Sequence, residues 1–340
     1  MLIRALRQLL LLAFSAAAFW TIPAASAVEI STGSCRPRGA VDLAERQPYE
    51  QAALDFASLV VSGEFAQAHA RMTRELKGYV PLDKFLASAQ PNIEPFKRLG
   101  RLHIAHSYLV ETGVMTGNGQ FVICAAEANA SMSSPQGRVF VLAKPIPKQA
   151  HVIIEGNNQE GTWTFSLWMI PIQGSWQVMG FHASPPPAID ESPSNLWTLA
   201  TLQQHKGHDL NAYLLFGVIS QLTYRGPDFQ LGLWADSQRE VKELKLPPEV
   251  QGQPPFIWQL GNSTFRVLGV SLGSNERKLA LDITYQPDST NDPKQIEEQN
   301  HVLIREVMAK HADFLDGFDA LAVYAKVPQG QPIHTIEKLR

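Results

Sequence analysis

The chain has 340 residues, 45% hydrophobic and 18% charged, with a formal net charge of −3. That balance is too apolar for a disordered chain and too mixed for a membrane bundle. A slightly acidic chain without a long Lys/Arg run also lacks the basic stripe of nucleic-acid binders and the polybasic cluster of membrane-surface proteins.

Residues 1–27 read as an export signal. Arg4 and Arg7 give a positive start, Leu9 to Phe19 a short apolar run, and Ala25-Ser26-Ala27 a small-x-small cleavage site. The run breaks at Trp20-Thr21 and Pro23, short of the roughly 20 residues a spanning helix needs. Cleavage is expected between Ala27 and Val28, leaving no membrane span and a periplasmic or secreted address. Cys35 is not read as a lipidation site, because Thr32-Gly33-Ser34 precedes it, well past the cleavage box. The chain has two cysteines, Cys35 and Cys124. In an exported chain this even pair reads as one disulfide; two separate thiols, with Cys124 a small core residue, are the alternative.

A mature chain beyond the ~250–300 residues of a single core predicts two domains. The expected boundaries are an extension over 28–47, a first domain over 48–183, a Pro-rich linker over 184–194 and a second domain over 195–335. Tyr49, Ala53, Phe56 and Val60 recur on one helical face, with Pro48 near the start. Phe65, Ala68, Met72 and Leu76 repeat the pattern up to Gly78, and Leu82, Phe85, Leu86 and Ala89 give a third, short helix.

The period then switches to 2. Leu102, Ile104, Tyr108 and Val110 share one strand face, Thr116 to Gly119 reads as a turn, and 121–126 as a strand. Further strands are expected over 139–142, 151–155, 162–170 and 175–182, the last three joined by turns at 157–161 and Gln173-Gly174. Trp163, Phe165, Leu167 and Met169 share one face of the hairpin, and Trp168 and Ile170 the other. Helices followed by an antiparallel meander make an α+β order.

The helix pair around Ser62-Gly63-Glu64-Phe65 and the closing strand Gly174-Ser175-Trp176-Gln177-Val178 resemble the nuclear-transport-factor-2-like (cystatin-like) superfamily. The resemblance covers Pro48 to Ala183. It implies a curved sheet wrapped around a helix as a cone, with an apolar pocket, and carries over no catalytic residue.

Ser184-Pro185-Pro186-Pro187 opens the semi-rigid spacer. Beyond it a helical hairpin is expected, 196–204 capped by Ser194 or Asn195, then 210–223. A third helix is expected from Asp228 towards Leu244. Strands over 256–260, 264–272 and 278–285, a helix from Pro293 to about His311 and a strand over 320–327 complete a β-β-α-β unit with a tail.

Reaction motifs are scarce. No Gly-x-Ser-x-Gly elbow, Walker loop or dinucleotide fingerprint occurs. His205-Lys206-Gly207-His208-Asp209 reads as an interhelical turn, and Glu298-x-x-His301 as a solvated helix face. No metal and no cofactor is expected. His103, His106, His151 or His182 beside Glu127 or Glu155 would line a cone as an acid–base pair, which defines the catalytic alternative: a hydrolase or isomerase. The leading expectation is a non-catalytic envelope protein that binds a small apolar ligand or an envelope protein partner, a second copy included. Trp163, Trp168, Ile170, Trp176 and Phe181 are the expected contact residues, because large aromatics dominate both cores and interfaces.

Overall fold

The computed structural model describes residues 34–113, 119–287, 292–327 and 331–339. The export signal, the Ala27/Val28 cleavage point and residues 116–118 of the expected turn lie outside them.

The expected extension is part of the first sheet. β1 (Ser34–Pro37) pairs antiparallel with the strand β2 (His103–Glu111). The helix α1 (Leu43–Ser62) buries Tyr49, Ala53, Phe56 and Val60 on one face, as their spacing predicts. It begins at Leu43, so Pro48 lies inside it rather than near its start. Proline removes the hydrogen bond to the Ala44 carbonyl. Both residues are exposed, so water can serve that carbonyl.

The expected helix 65–76 is two helices, α2 (Phe65–Ala70) and α3 (Arg74–Tyr79). The backbone between them is claimed by a sheet edge: Thr73 N donates to Val178 O (2.9 Å) and Val178 N to Arg71 O (3.1 Å). Thr73 then caps α3, its hydroxyl accepting from Leu76 N at 3.1 Å. α4 (Leu82–Ala89) and α5 (Ile93–Lys97) complete the helical layer.

Three long antiparallel strands follow the helices: β5 (Lys148–Asn158), β6 (Gly161–Ile172) and β7 (Ser175–Ser184). The sheet order is β1-β2-β5-β6-β7. α1 packs across β2, β5, β6 and β7. The space between helix and sheet is filled by side chains. Phe56 meets Phe181 edge-on at 5.2 Å, Phe96 meets Trp163 at 5.0 Å, and Phe165 stacks on Phe181 at 6.3 Å. Contacts of this kind contribute roughly 0.5–1.5 kcal/mol each beyond area burial.

A smaller sheet lies outside the first: β3 (Gln120–Ala125), β4 (Arg138–Ala143) and β8 (Phe229–Leu231), in that order. The Cys35–Cys124 disulfide bolts β1 to β3. β8 comes from the far side of the Pro-rich segment, after the hairpin of α6 (Pro193–His205) and α7 (Asp209–Thr223). A helix was expected from Asp228; instead residues 229–231 pair with β4, and α8 (Gly232–Glu243) begins after them. The cap of α6 also differs. Pro193 occupies the first helical turn and Ser192 caps it, its hydroxyl accepting from Asn195 N at 3.1 Å.

The second large sheet holds β9 (Phe256–Leu260), β10 (Ser263–Asn275), β11 (Lys278–Gln286), β12 (Ala320–Ala325) and β13 (Ile333–Lys338), ordered β13-β12-β11-β10-β9. α9 (Pro293–Lys310) carries the chain over to make β11 and β12 parallel. The expected tail is a strand: β13 pairs antiparallel with β12 from Ile333 to Lys338. α6, α7 and α9 bury Leu196, Leu215, Phe216, Ile219, Leu303 and Val307 against this sheet in one hydrophobic cluster. The molecule is thus α+β throughout. No described helix is long and apolar enough to cross a membrane.

Candidate functional site

Strand alternation assigns the first sheet two faces. One carries Trp163, Phe165, Leu167 and Met169 against α1. On the other, cross-strand pairing sets Tyr108, His151, Trp168 and Gly180 in one row, and Ile153, Ser166 and His182 in the next.

Residues 224–231 lie over this outer face as a clasp. Phe229 packs on Tyr108 (5.6 Å) and His151 (6.3 Å), and Tyr224 meets His182 edge-on at 5.1 Å. Leu142 N donates to Asp228 O at 2.9 Å, and the Ser184 hydroxyl to Tyr224 O at 3.1 Å. The approach is close at two glycines. A Cβ on Gly180 would overlap the Asp228 carboxylate, and one on Gly226 would sit 2.8 Å from His182 Cβ. Gly226 also has φ +100°, a conformation side chains resist. Gly226→Val is expected to destabilise the protein by roughly 1–3 kcal/mol, read from the urea midpoint at unchanged m-value.

Two buried imidazoles, a carboxyl and a guanidinium meet under the clasp. His151 makes one hydrogen bond, Nε2 to Leu142 O at 2.9 Å, and burial pushes its imidazole down to about 4. Burial, with Arg225 nearby, brings His182 down to about 4 as well. Burial raises the Asp228 carboxyl, with Lys144 opposing. The Ser166 hydroxyl is buried without a hydrogen-bond partner. These groups line a cavity of about 10 Å³, room for one water and no substrate.

The expected acid–base pairs are found outside the helix-lined interior. His106 Nδ1 lies 2.8 Å from Glu127 Oε1, both side chains exposed, and His103 Nε2 lies 3.8 Å from Glu155 Oε2. Both pairs belong to the outer face. A carboxylate that the sequence reading missed does sit at the end of the interior: Glu50, buried on α1. Its oxygens are occupied by Arg38 Nε (2.9 Å), Arg46 Nη1 (3.4 Å) and the Ser107 hydroxyl (2.7 Å), which ties the N-terminal segment to α1 and β2. The spacing of Arg46 and Glu50 was the available signal.

The expected contact residues fall into two groups. Trp163 is core, and Trp176 and Phe181 are half-buried against the same core. Trp168 and Ile170 do face outward, yet they form no open patch. They cluster with Met179 beneath Leu142, Ile146 and Ile172, and Trp168 is 3% exposed. The Trp168 indole N–H donates to Gln149 Oε1 at 3.1 Å, and its ring stacks on His151. His205 to Asp209 form the α6–α7 turn, where His208 Nδ1 meets Gln203 Oε1 at 2.9 Å. Among the described residues no cluster of three or more His, Cys, Asp or Glu could hold a metal.

An opening of ligand size lies elsewhere. A groove of about 570 Å³ runs between α1 and the segment 97–102. Leu54, Val61 and Leu102 give it an apolar floor, and Asp55, Lys97 and Arg101 stand along it. Asp55 is taken by Arg71 (3.2 Å) and Gln51 (2.8 Å), and Lys97 bonds Glu94 at 3.3 Å. Among the described residues no acid pairs with Arg101.

No family profile, no curated protein and no solved structure matches this chain.

Proposed function

We propose that the chain is an exported, non-catalytic binding protein of the cell envelope, and that its ligand is a small, largely apolar molecule with an anionic group. The comparison of volumes carries this reading. The groove along α1, at about 570 Å³, falls within the ~300–1,000 Å³ of small-molecule sites, whereas the histidine-lined cavity holds about 10 Å³. The floor of Leu54, Val61 and Leu102 suits an apolar body, and Arg101 suits an anionic end. The cone implied by the superfamily resemblance offers its aromatic filling as a rigid wall behind α1 rather than as a pocket. The disulfide and the signal-like residues 1–27 support the export.

The catalytic alternative finds less support. An acid–base pair works on a substrate held out of water, and His106–Glu127 stands exposed. The buried imidazoles have no carboxylate hydrogen-bonded to them.

Ser58 is exposed on α1 at the groove, so Ser58→Trp fills the site without disturbing the core. With 1-anilinonaphthalene-8-sulfonate as an anionic apolar probe, Ser58→Trp and Arg101→Glu are each expected to weaken binding at least tenfold. Wild-type affinity in both variants would remove the groove from consideration. Native mass spectrometry of protein from its own host then reports the retained ligand and a mature start at Val28.

A further inference from the structure

We propose that mild acid opens the 224–231 clasp, lifting Tyr224 to Phe229 off the outer face of the first sheet while both large sheets stay folded. This switch is independent of what the groove binds.

The geometry makes the clasp the weak seam. Its backbone hold on the sheet is short: β8 pairs with β4 at Val139, Phe140 and Val141, supplemented by the bonds from Leu142 N and the Ser184 hydroxyl. The disulfide fixes β3 to β1, and β4 pairs with β3, so both stay against the first sheet when β8 moves. Beyond the clasp, Arg138 grips Asp236 with Nη2 at 2.8 and 2.6 Å from the two carboxylate oxygens, and Arg239 adds a bond at 2.9 Å. That anchor holds α8 to β4 and leaves residues 224–231 as the part that opens.

Two imidazoles lie beneath that part with no carboxylate hydrogen-bonded to either. His151 faces Tyr108 on β2, Trp168 on β6 and Phe229 on the clasp. The charges around it are Asp228, which lines the same cavity, and Lys144, whose Nζ lies 5.6 Å over the Trp168 ring. His182 faces Ser166 on β6 and Tyr224 and Arg225 on the clasp. The acid nearest Arg225 in effect is Glu155, already beside His103. A proton on His182 would therefore meet a buried guanidinium, and a proton on His151 would be held out of water with no carboxylate bonded to it.

The sign follows from linkage. Closed, both imidazoles titrate near pH 4; released to water, they titrate near 6.5. The open form binds more protons between those values, so each unit of acidification moves the equilibrium towards opening by up to about tenfold per imidazole. Asp228 works the other way. Its carboxyl is raised in the closed form, so acid neutralises it there first and favours closure. The net proton uptake is thus below two.

Hydrogen exchange on the full chain at pH 7.5 and 4.5, corrected for intrinsic rates, tests this. Protection of 224–231 is expected to fall about 100-fold or more, with 279–285 in β11 changing less than about threefold. Equal loss in both segments, or none in the clasp, overturns the proposal. His182→Gln is expected to recover at least tenfold of the lost protection; full loss in that variant also overturns it. Imidazole proton shifts of the wild-type protein give the measurement that no folding defect can spoil. Two histidines titrating below pH 5 support the switch, and all ten titrating above pH 6 refute it.

Discussion

The double variant Cys35→Ala/Cys124→Ala is expected to lose about 4–5 kcal/mol of stability. The bond closes a separation of 89 residues, and in the chain-entropy account a loop of that length restricts the unfolded ensemble by this amount. Set against the 5–15 kcal/mol typical of folded domains, the loss leaves the first sheet marginal. Equilibrium urea unfolding measures it, and wild-type protein in excess reductant should match the variant. The effect should also be local. The cluster built by α6, α7, α9 and the second large sheet contains no cysteine, so exchange protection of β11 and β12 should hold. A loss under about 1 kcal/mol would mean that pairing of β1 with β2 is sufficient to hold the edge without the covalent bolt.

The second large effect is expected from Arg138→Ala. Asp236 is 2% exposed and both of its oxygens receive Arg138 Nη2. Removing the guanidinium leaves a buried carboxylate with only the half-exposed Arg239 as its ion partner. Breaking a buried pair from one side typically destabilises by about 3–5 kcal/mol, because the remaining charge is desolvated without compensation. The double variant Arg138→Met/Asp236→Leu should recover most of that loss, since apolar replacement of both partners leaves no orphaned charge. Thermal unfolding of the three proteins gives the comparison. If Arg138→Ala unfolds within about 1 kcal/mol of wild type, the contact between α8 and β4 is held by packing alone.

Much of this architecture was legible because long elements carry their own period. The apolar spacing of Tyr49, Ala53, Phe56 and Val60 located the face of α1, and alternation along 162–170 correctly separated Trp163, Phe165, Leu167 and Met169 from Trp168 and Ile170. The cysteine pair stated the staple that the structure shows. What escaped is short or remote. β8 has three residues, too few to display a period of 2. The helix expected from Asp228 towards Leu244 absorbed it. β13 escaped for a related reason: its polar residues mark an edge strand, whose burial is too slight to leave an apolar signature.

The candidate site divides in the same way. Trp168 was correctly pointed outward, but alternation says nothing of what lies above a face; Leu142 and Ile146 arrive from a different layer. The clasp over His151 and His182 depends on residues more than forty positions downstream, a pairing that no local spacing encodes. The groove was invisible because its floor borrows half-buried residues from α1 and from a loop.

The late arrival of β8 has a consequence for biosynthesis. A polypeptide emerging from its N-terminus can complete the first large sheet once Ser184 is out, yet the flank of β4 then still lacks its last strand, and Tyr108 and His151 lack the Phe229 ring. That flank remains wet and adhesive while the α6–α7 hairpin is delivered. The first half of the molecule is therefore finished by the second, and the chain has a built-in reason to be threaded through to residue 231 before either half is left on its own.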